Sequence, residues 1–200
     1  FLGCNPLEIG VNIAIESLTK YFSGHSDNFL GLIALNSPKL AKTIKTTSVR
    51  LGDYVSSESC FHASKGLKTL KLRIEKHSEN AEKVFRYLKT KKTVKKIFYL
   101  PDHTNKFHKL WKKYHKLNNG LITFSIKKKK NINLFIDKLN LFKIGFSWGG
   151  YESLILPIEN LKPTKKISKN NEYWFRIHVG LESYSDLIND LDKAFRNYEN

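Results

Sequence analysis

Apolar and polar positions divide the chain into two stretches of different character. In the first, Val11-Asn12-Ile13-Ala14-Ile15 alternates, and Phe29 to Leu35 (Phe-Leu-Gly-Leu-Ile-Ala-Leu) is continuously apolar. Two such strands, buried on both faces, suit a largely parallel sheet covered by helices. Between them lies Ser17-Leu18-Thr19-Lys20-Tyr21-Phe22-Ser23-Gly24-His25-Ser26-Asp27, rich in hydroxyls and glycine. Pro38 to Thr47 predicts a short helix. From Ser64 onward Leu67, Leu70, Ile74, Ala81, Val84, Phe85 and Leu88 share one stripe with charged residues between them, which predicts a long amphipathic helix.

Beyond that helix the pattern mixes. Thr93 to Leu100 predicts a strand ended by Pro101, and the region of Phe107, Leu110, Trp111 and Tyr114 is helical or irregular. Leu121–Lys127, Leu141–Phe146, Ser153–Leu156 and Trp174–Val179 predict strands, and Ile132–Leu139 a short helix. Ser185 to Tyr198 predicts a closing helix with Leu187, Ile188, Leu191, Ala194 and Phe195 inward. Asp186 and Asp190 sit toward its positive N-terminal end. The order predicts part of an α/β domain over residues 1–65, then a smaller α+β domain over 66–200 that begins with the long helix.

Composition narrows the classes. With 40% hydrophobic and 12% aromatic residues the 200-residue chain is a folding sequence, not a disordered one. It begins at Phe1 and contains no Met, which predicts a piece of a longer reading frame. No apolar run approaches the roughly 18 residues of a membrane helix, and Cys4 and Cys60 show no redox or metal spacing, so a cytoplasmic setting is expected. The histidines, His25 and His77 among them, show no metal-ligand spacing either, and no metal is expected. The net charge of +17 raises a nucleic-acid-binding module as an alternative. Only five of the 35 basic residues are Arg, however, and the lysines are scattered. Readers of phosphates and base edges lean on the bidentate guanidinium, so a solvated surface is the expectation, with no nucleic-acid or membrane partner.

Three places carry candidate chemistry. Lys20 is the only Lys or Arg before Pro38 in a lysine-rich protein, and it follows a strand among Ser17, Thr19, Ser23 and Gly24. An apolar setting disfavours an ammonium and leaves a nucleophilic amine suited to an aldehyde. The same residues also fit a lysine that snorkels from a strand end beside turn hydroxyls. In Ser147-Trp148-Gly149-Gly150-Tyr151-Glu152-Ser153 the paired glycines mark a close backbone approach, where Ser147 and Trp148 could face a small ligand or merely form a hairpin. Arg176 lies on the strand face opposite Phe175, Ile177 and Val179 and requires an anion, either a protein carboxylate or a substrate one.

Taken in order, Ser17-Leu18-Thr19-Lys20-Tyr21, Lys65-Gly66-Leu67-Lys68-Thr69-Leu70, Ser147 to Leu154 and Arg176 to Glu182 resemble motifs of one family. It is the Cys/Met-metabolism family of pyridoxal-phosphate enzymes, of aspartate-aminotransferase fold (fold type I). Lys65 stands where the family usually has Arg. The Ser-Trp-Gly-Gly-Tyr-Glu-Ser-Leu stretch is similar to that of bacterial cystathionine β-lyases; the γ-synthase and γ-lyase branches more often carry Leu at the position of Trp148. The resemblance implies pyridoxal 5'-phosphate as cofactor, with Lys20 its Schiff-base lysine and the acceptor of the substrate Cα proton. It further implies Ser17 and Thr19 at the cofactor phosphate, and Arg176, Ser147 and Trp148 at the substrate carboxylate. The implied reaction is α,β-elimination of L-cystathionine to homocysteine, pyruvate and ammonia, in a homotetramer. Family members are nearly twice as long, and their upstream half supplies the Asp at the pyridine nitrogen and further cofactor contacts. The 200-residue chain alone is therefore expected to bind cofactor poorly.

Overall fold

The computed structural model describes residues 2–158 and 171–200. Its larger sheet has five strands in the order β3-β4-β7-β6-β5, with β3 at Val94–Phe98, β4 at Leu121–Lys127, β5 at Lys143–Ile144, β6 at Leu154–Pro157 and β7 at Glu172–His178. All pairs are antiparallel except β5–β6. The register sets Ile122 opposite Ile177 and Phe124 opposite Phe175, so alternate residues of β4 and β7 build one apolar face. Onto that face pack the long helix α3 (Leu70–Thr90) and the closing helix α6 (Tyr184–Glu199), burying Val84, Leu88, Leu187, Leu191, Ala194 and Phe195 completely. The short helices α4 (His108–Tyr114) and α5 (Asn133–Ile136) fill the connections. These elements match the α+β part expected from the pattern.

Several expectations need correction. The first two strands, β1 (Ala14–Ser17) and β2 (Gly31–Ala34), pair with each other antiparallel and are not doubly buried. A parallel pair needs a crossover, usually a helix. Here the connection, residues 18–30, holds one π turn, Leu18–Phe22, and no crossover helix, and the chain doubles back. Ile15 (79% exposed) and Phe29 (92% exposed) consequently face solvent in this chain.

The helix expected to end at Thr47 runs on to Leu51. This α1 (Pro38–Leu51) is capped by the Ser37 side chain, which accepts from the Leu40 N–H, and stopped by Gly52 at φ +74°. The stripe beginning at Leu67 is broken by a separate helix, α2 (Ser57–Leu67), which leaves Leu67 exposed. Its sequence has too little apolar periodicity to be read as a helix. Asp190 sits inside rather than at a favourable helix pole: it is buried and accepts the N–H groups of Asn140, Leu141 and Phe142 at 2.8, 2.9 and 3.1 Å.

Candidate active site

Lys20 stands in the π turn after β1, where its own backbone (φ −88°, ψ −126°) departs from helical values. The kink turns the side chain toward the Ser147–Gly150 turn. Nζ donates to Ser147 Oγ at 2.9 Å and lies 5.5 Å from the centre of the Trp148 ring. The turn reaches Lys20 because Gly149 adopts φ +84°, and a Cβ there would come within 2.7 Å of Tyr21 N and 3.0 Å of Lys20 C. The glycine pair is thus a seat for the Lys20 backbone.

Arg176 reaches the same turn from β7. One terminal nitrogen, Nη2, donates to the carbonyls of Phe146 at 2.6 Å and Ser147 at 3.3 Å, while Nε is buried with no partner among the described residues. Burial lowers its pKa from the ordinary arginine value. No protein carboxylate lies within ion-pair distance of it among the described residues, so the structural partner left open by the sequence is not found there. Ser147 joins the two side chains: its hydroxyl accepts from Lys20 and its carbonyl from Arg176.

The two hydroxyls before Lys20 differ. Thr19 Oγ1 accepts the Leu30 N–H at 3.0 Å and donates to the Leu30 carbonyl at 3.4 Å, tying the turn to the entry of β2. Ser17 precedes the turn, and its side chain does not cap it.

Beneath Lys20 is a cluster whose packing the sequence did not predict. The Tyr21 ring packs against Trp148, His77 and His178, with centroids 5.5, 5.3 and 5.8 Å away. Its hydroxyl accepts the Gly120 N–H at 2.9 Å, and burial raises its pKa. His77 meets the Val179 carbonyl through Nδ1 at 2.8 Å. His178 Nε2 lies 3.1 Å from both the Gly149 nitrogen and the Gly150 carbonyl. Burial depresses both imidazoles to about 4, with Arg73 assisting at His77 and His77 itself assisting at His178. At the far end of the turn, Glu182 accepts from the Ser153 N–H and hydroxyl at 2.7 and 2.8 Å, and Gly180 N–H donates to Ser153 Oγ. Gly180 and Glu182 are therefore braces. His178, Gly180 and Glu182 fall within the Arg176-to-Glu182 motif, but their contacts are set by the fold, and His77 carries no local pattern of its own.

A half-buried amine held by a hydroxyl, near a guanidinium with an unfilled donor, can bind a carbonyl compound that also carries a carboxylate. Comparison with known proteins agrees in kind. Residues 2–196 match the family described as Cys/Met metabolism PLP-dependent enzyme. An L-alanine/L-glutamate racemase of Wolbachia pipientis wMel is 34% identical over 94% of this chain and 48% of its own length. Cystathionine beta-lyase MetC of Escherichia coli is 33% identical over 94% and 49%. In three dimensions, cystathionine gamma-lyase from Lactobacillus plantarum complexed with L-serine superposes with a TM-score of 0.89 at 30% identity. That match covers 99% of this chain and 54% of the other. The chain spans about half the length of the relatives it matches.

Proposed function

The chain belongs to the Cys/Met metabolism family of PLP-dependent enzymes, and on that premise we propose that it carries the C-terminal half of a carbon–sulfur lyase. The proposed reaction is α,β-elimination of L-cystathionine to homocysteine, pyruvate and ammonia. The family's cofactor is pyridoxal 5'-phosphate, and the residues present fit it. Lys20 offers an amine with a neutral partner, and Ser17 offers a hydroxyl free of capping duty. Thr19 fits less well, because its hydroxyl already serves Leu30. The observation that carries the proposal is Ser147 holding Lys20 Nζ with its hydroxyl and Arg176 with its carbonyl.

When bound, the cofactor supplies a carbonyl for an amine and a sink for the electron pair released at Cα. This chain's residues do the rest. Arg176 holds the substrate carboxylate through its planar guanidinium. Lys20 Nζ takes the proton from Cα; the Cβ–S bond then breaks, and its electron pair leaves with sulfur. Ser147 orients the amine, and the Trp148 ring lies 5.5 Å from it. The homotetramer and the cytoplasmic setting are part of the same proposal. Among the described residues no helix is long and apolar enough to cross a membrane.

A second reading has one observation in its favour, the racemase among the relatives. The same lysine that removes a Cα proton can take part in its return on the other face. Incubating the whole enzyme with cystathionine and with L-alanine separates the readings. Pyruvate supports the proposal; 2-oxobutyrate assigns a γ-lyase, and D-alanine without pyruvate a racemase. Lys20→Ala should abolish both activity and the visible absorbance of lysine-bound cofactor, and retention of that absorbance would remove the central assignment.

A further inference from the structure

A lysine that presents its amine at one point needs its own main chain held. We propose that Arg73 is a positioning residue for Lys20, pinning the carbonyls that follow it; this rests on the reading of Lys20 as the cofactor-holding lysine. The Arg73 side chain is buried, and its guanidinium reaches back 52 residues along the sequence to the π turn. Nη1 donates to the Tyr21 carbonyl at 2.7 Å, and Nη2 to those of Phe22 at 3.0 Å and Gly66 at 2.8 Å. Nε donates to Thr69 Oγ1 at 3.1 Å. Every one of these acceptors is a neutral oxygen. A buried cation satisfied only by neutral oxygens is a poor way to gain stability. It is a rigid way to hold two successive carbonyls, because the planar fork fixes both at once.

Two glycines clear the space it fills. Gly24, at φ +70°, passes so close that a Cβ would fall on the guanidinium. Gly66 lies against the Phe22 and Ser23 backbone, where a Cβ would overlap both carbonyl oxygens. The same face of α3 continues with His77 and Asn80, both fully buried. His77 meets the Val179 carbonyl, and Asn80 donates to those of Gly180 and Glu182 at 2.9 and 2.8 Å. Residues 73, 77 and 80 are one polar stripe at helical spacing. One end grips the turn that carries Lys20, and the other grips the end of the strand that carries Arg176. The helix thereby gauges the separation between the amine and the carboxylate-binding guanidinium, and Arg73 is its contact on the Lys20 side.

The test uses the whole enzyme loaded with pyridoxal phosphate, as wild type, Arg73→Met, Arg73→Lys and Asp190→Asn. Borohydride reduction with peptide mass mapping reports attachment at Lys20. A pH titration of the visible absorbance reports the amine's setting, and kcat and KM are measured beside the thermal midpoint. Arg73→Met should move the titration midpoint by about one pH unit and lower kcat about a hundredfold, with a smaller change in KM. Arg73→Lys, which keeps the charge but reaches fewer acceptors, should recover part of both, and it carries the test should Arg73→Met not fold. Asp190→Asn removes a buried clamp elsewhere, so it should lower the thermal midpoint while the titration stays as in wild type. Labelled Lys20 with wild-type titration and kcat in both Arg73 variants overturns this inference alone. A wild-type enzyme without label on Lys20 overturns the reading of Lys20 and this inference with it.

Discussion

Gly149→Ala tests whether the paired glycines serve as the seat of Lys20. Two costs act at this position and can be separated. The first is the left-handed backbone at φ +84°, unfavourable for an L side chain by about 1–2 kcal/mol. The second is steric: the new methyl would stand 2.7 Å from Tyr21 N, 3.0 Å from Lys20 C and 3.2 Å from Lys20 Cα. These are main-chain atoms, and the adjoining Tyr21 carbonyl is held by Arg73, so they cannot swing away as a side chain would. Overpacking of this kind costs about 1–3 kcal/mol, giving a total of about 2–5 kcal/mol.

Gly10→Ala isolates the first cost, since Gly10 has φ +96° and nothing within 4 Å of its Cβ position. For Gly150→Ala the nearest atoms are the Ser26 hydroxyl at 2.5 Å and the Glu152 carboxylate, with an oxygen at 2.6 Å and Cδ at 3.1 Å, all side-chain ends that can yield. Urea unfolding of the three variants, compared at common slope, should rank Gly149→Ala as the most destabilised by more than 1 kcal/mol. It should also be the one that loses cofactor attachment at Lys20 in the whole enzyme. Equal costs for Gly149→Ala and Gly10→Ala, with attachment intact, would refute the seat.

Three further outcomes follow from the same geometry. His77 and His178 are depressed to about 4 from an ordinary value of 6.5, so between those values the unfolded chain binds more protons. Stability should therefore be full above pH 6.5 and fall as pH is lowered toward 4. Unfolding curves across that window should show the slope, and His77→Gln should flatten it. Asp190→Asn weakens three hydrogen bonds from backbone N–H groups to a buried carboxylate and should cost about 2–4 kcal/mol in urea unfolding; a loss below 1 kcal/mol would contradict the assigned role. Arg176→Lys keeps the charge but loses the fork, so substrate KM should rise at least about tenfold in steady-state assays, equivalent to ~1.4 kcal/mol. An unchanged KM would detach Arg176 from the substrate carboxylate.

The sequence was most informative where chemistry is local. Lys20 stood out because no other Lys or Arg precedes Pro38, and Arg176 because a strand with apolar neighbours cannot hide an unpaired guanidinium. The spacing of Leu70, Ile74, Ala81, Val84 and Leu88 identified the face of α3 that is buried. Arg73 shares that helix yet is invisible by the same logic. In a chain with 35 basic residues, one more arginine between leucine and isoleucine reads as solvated surface. What makes it different is a pair of carbonyls from Tyr21 and Phe22, brought to it by folding.

The sequence by itself determined which residues carry reactive groups, which faces of most elements are apolar, and, through four ordered motifs, the family. Alternation states that a strand has two faces but not the direction of its neighbour, so the antiparallel pairing of β1 with β2 belonged to the tertiary structure. So did the joining of Lys20 and Arg176 through Ser147, 127 residues from Lys20. Hydrogen bonds between distant segments leave no periodicity in the chain, because their partners are chosen by where helices and sheets come to rest. The burial of Arg73, His77, His178 and Asp190 was decided in the same way, by carbonyl and N–H groups that only the packed fold delivers.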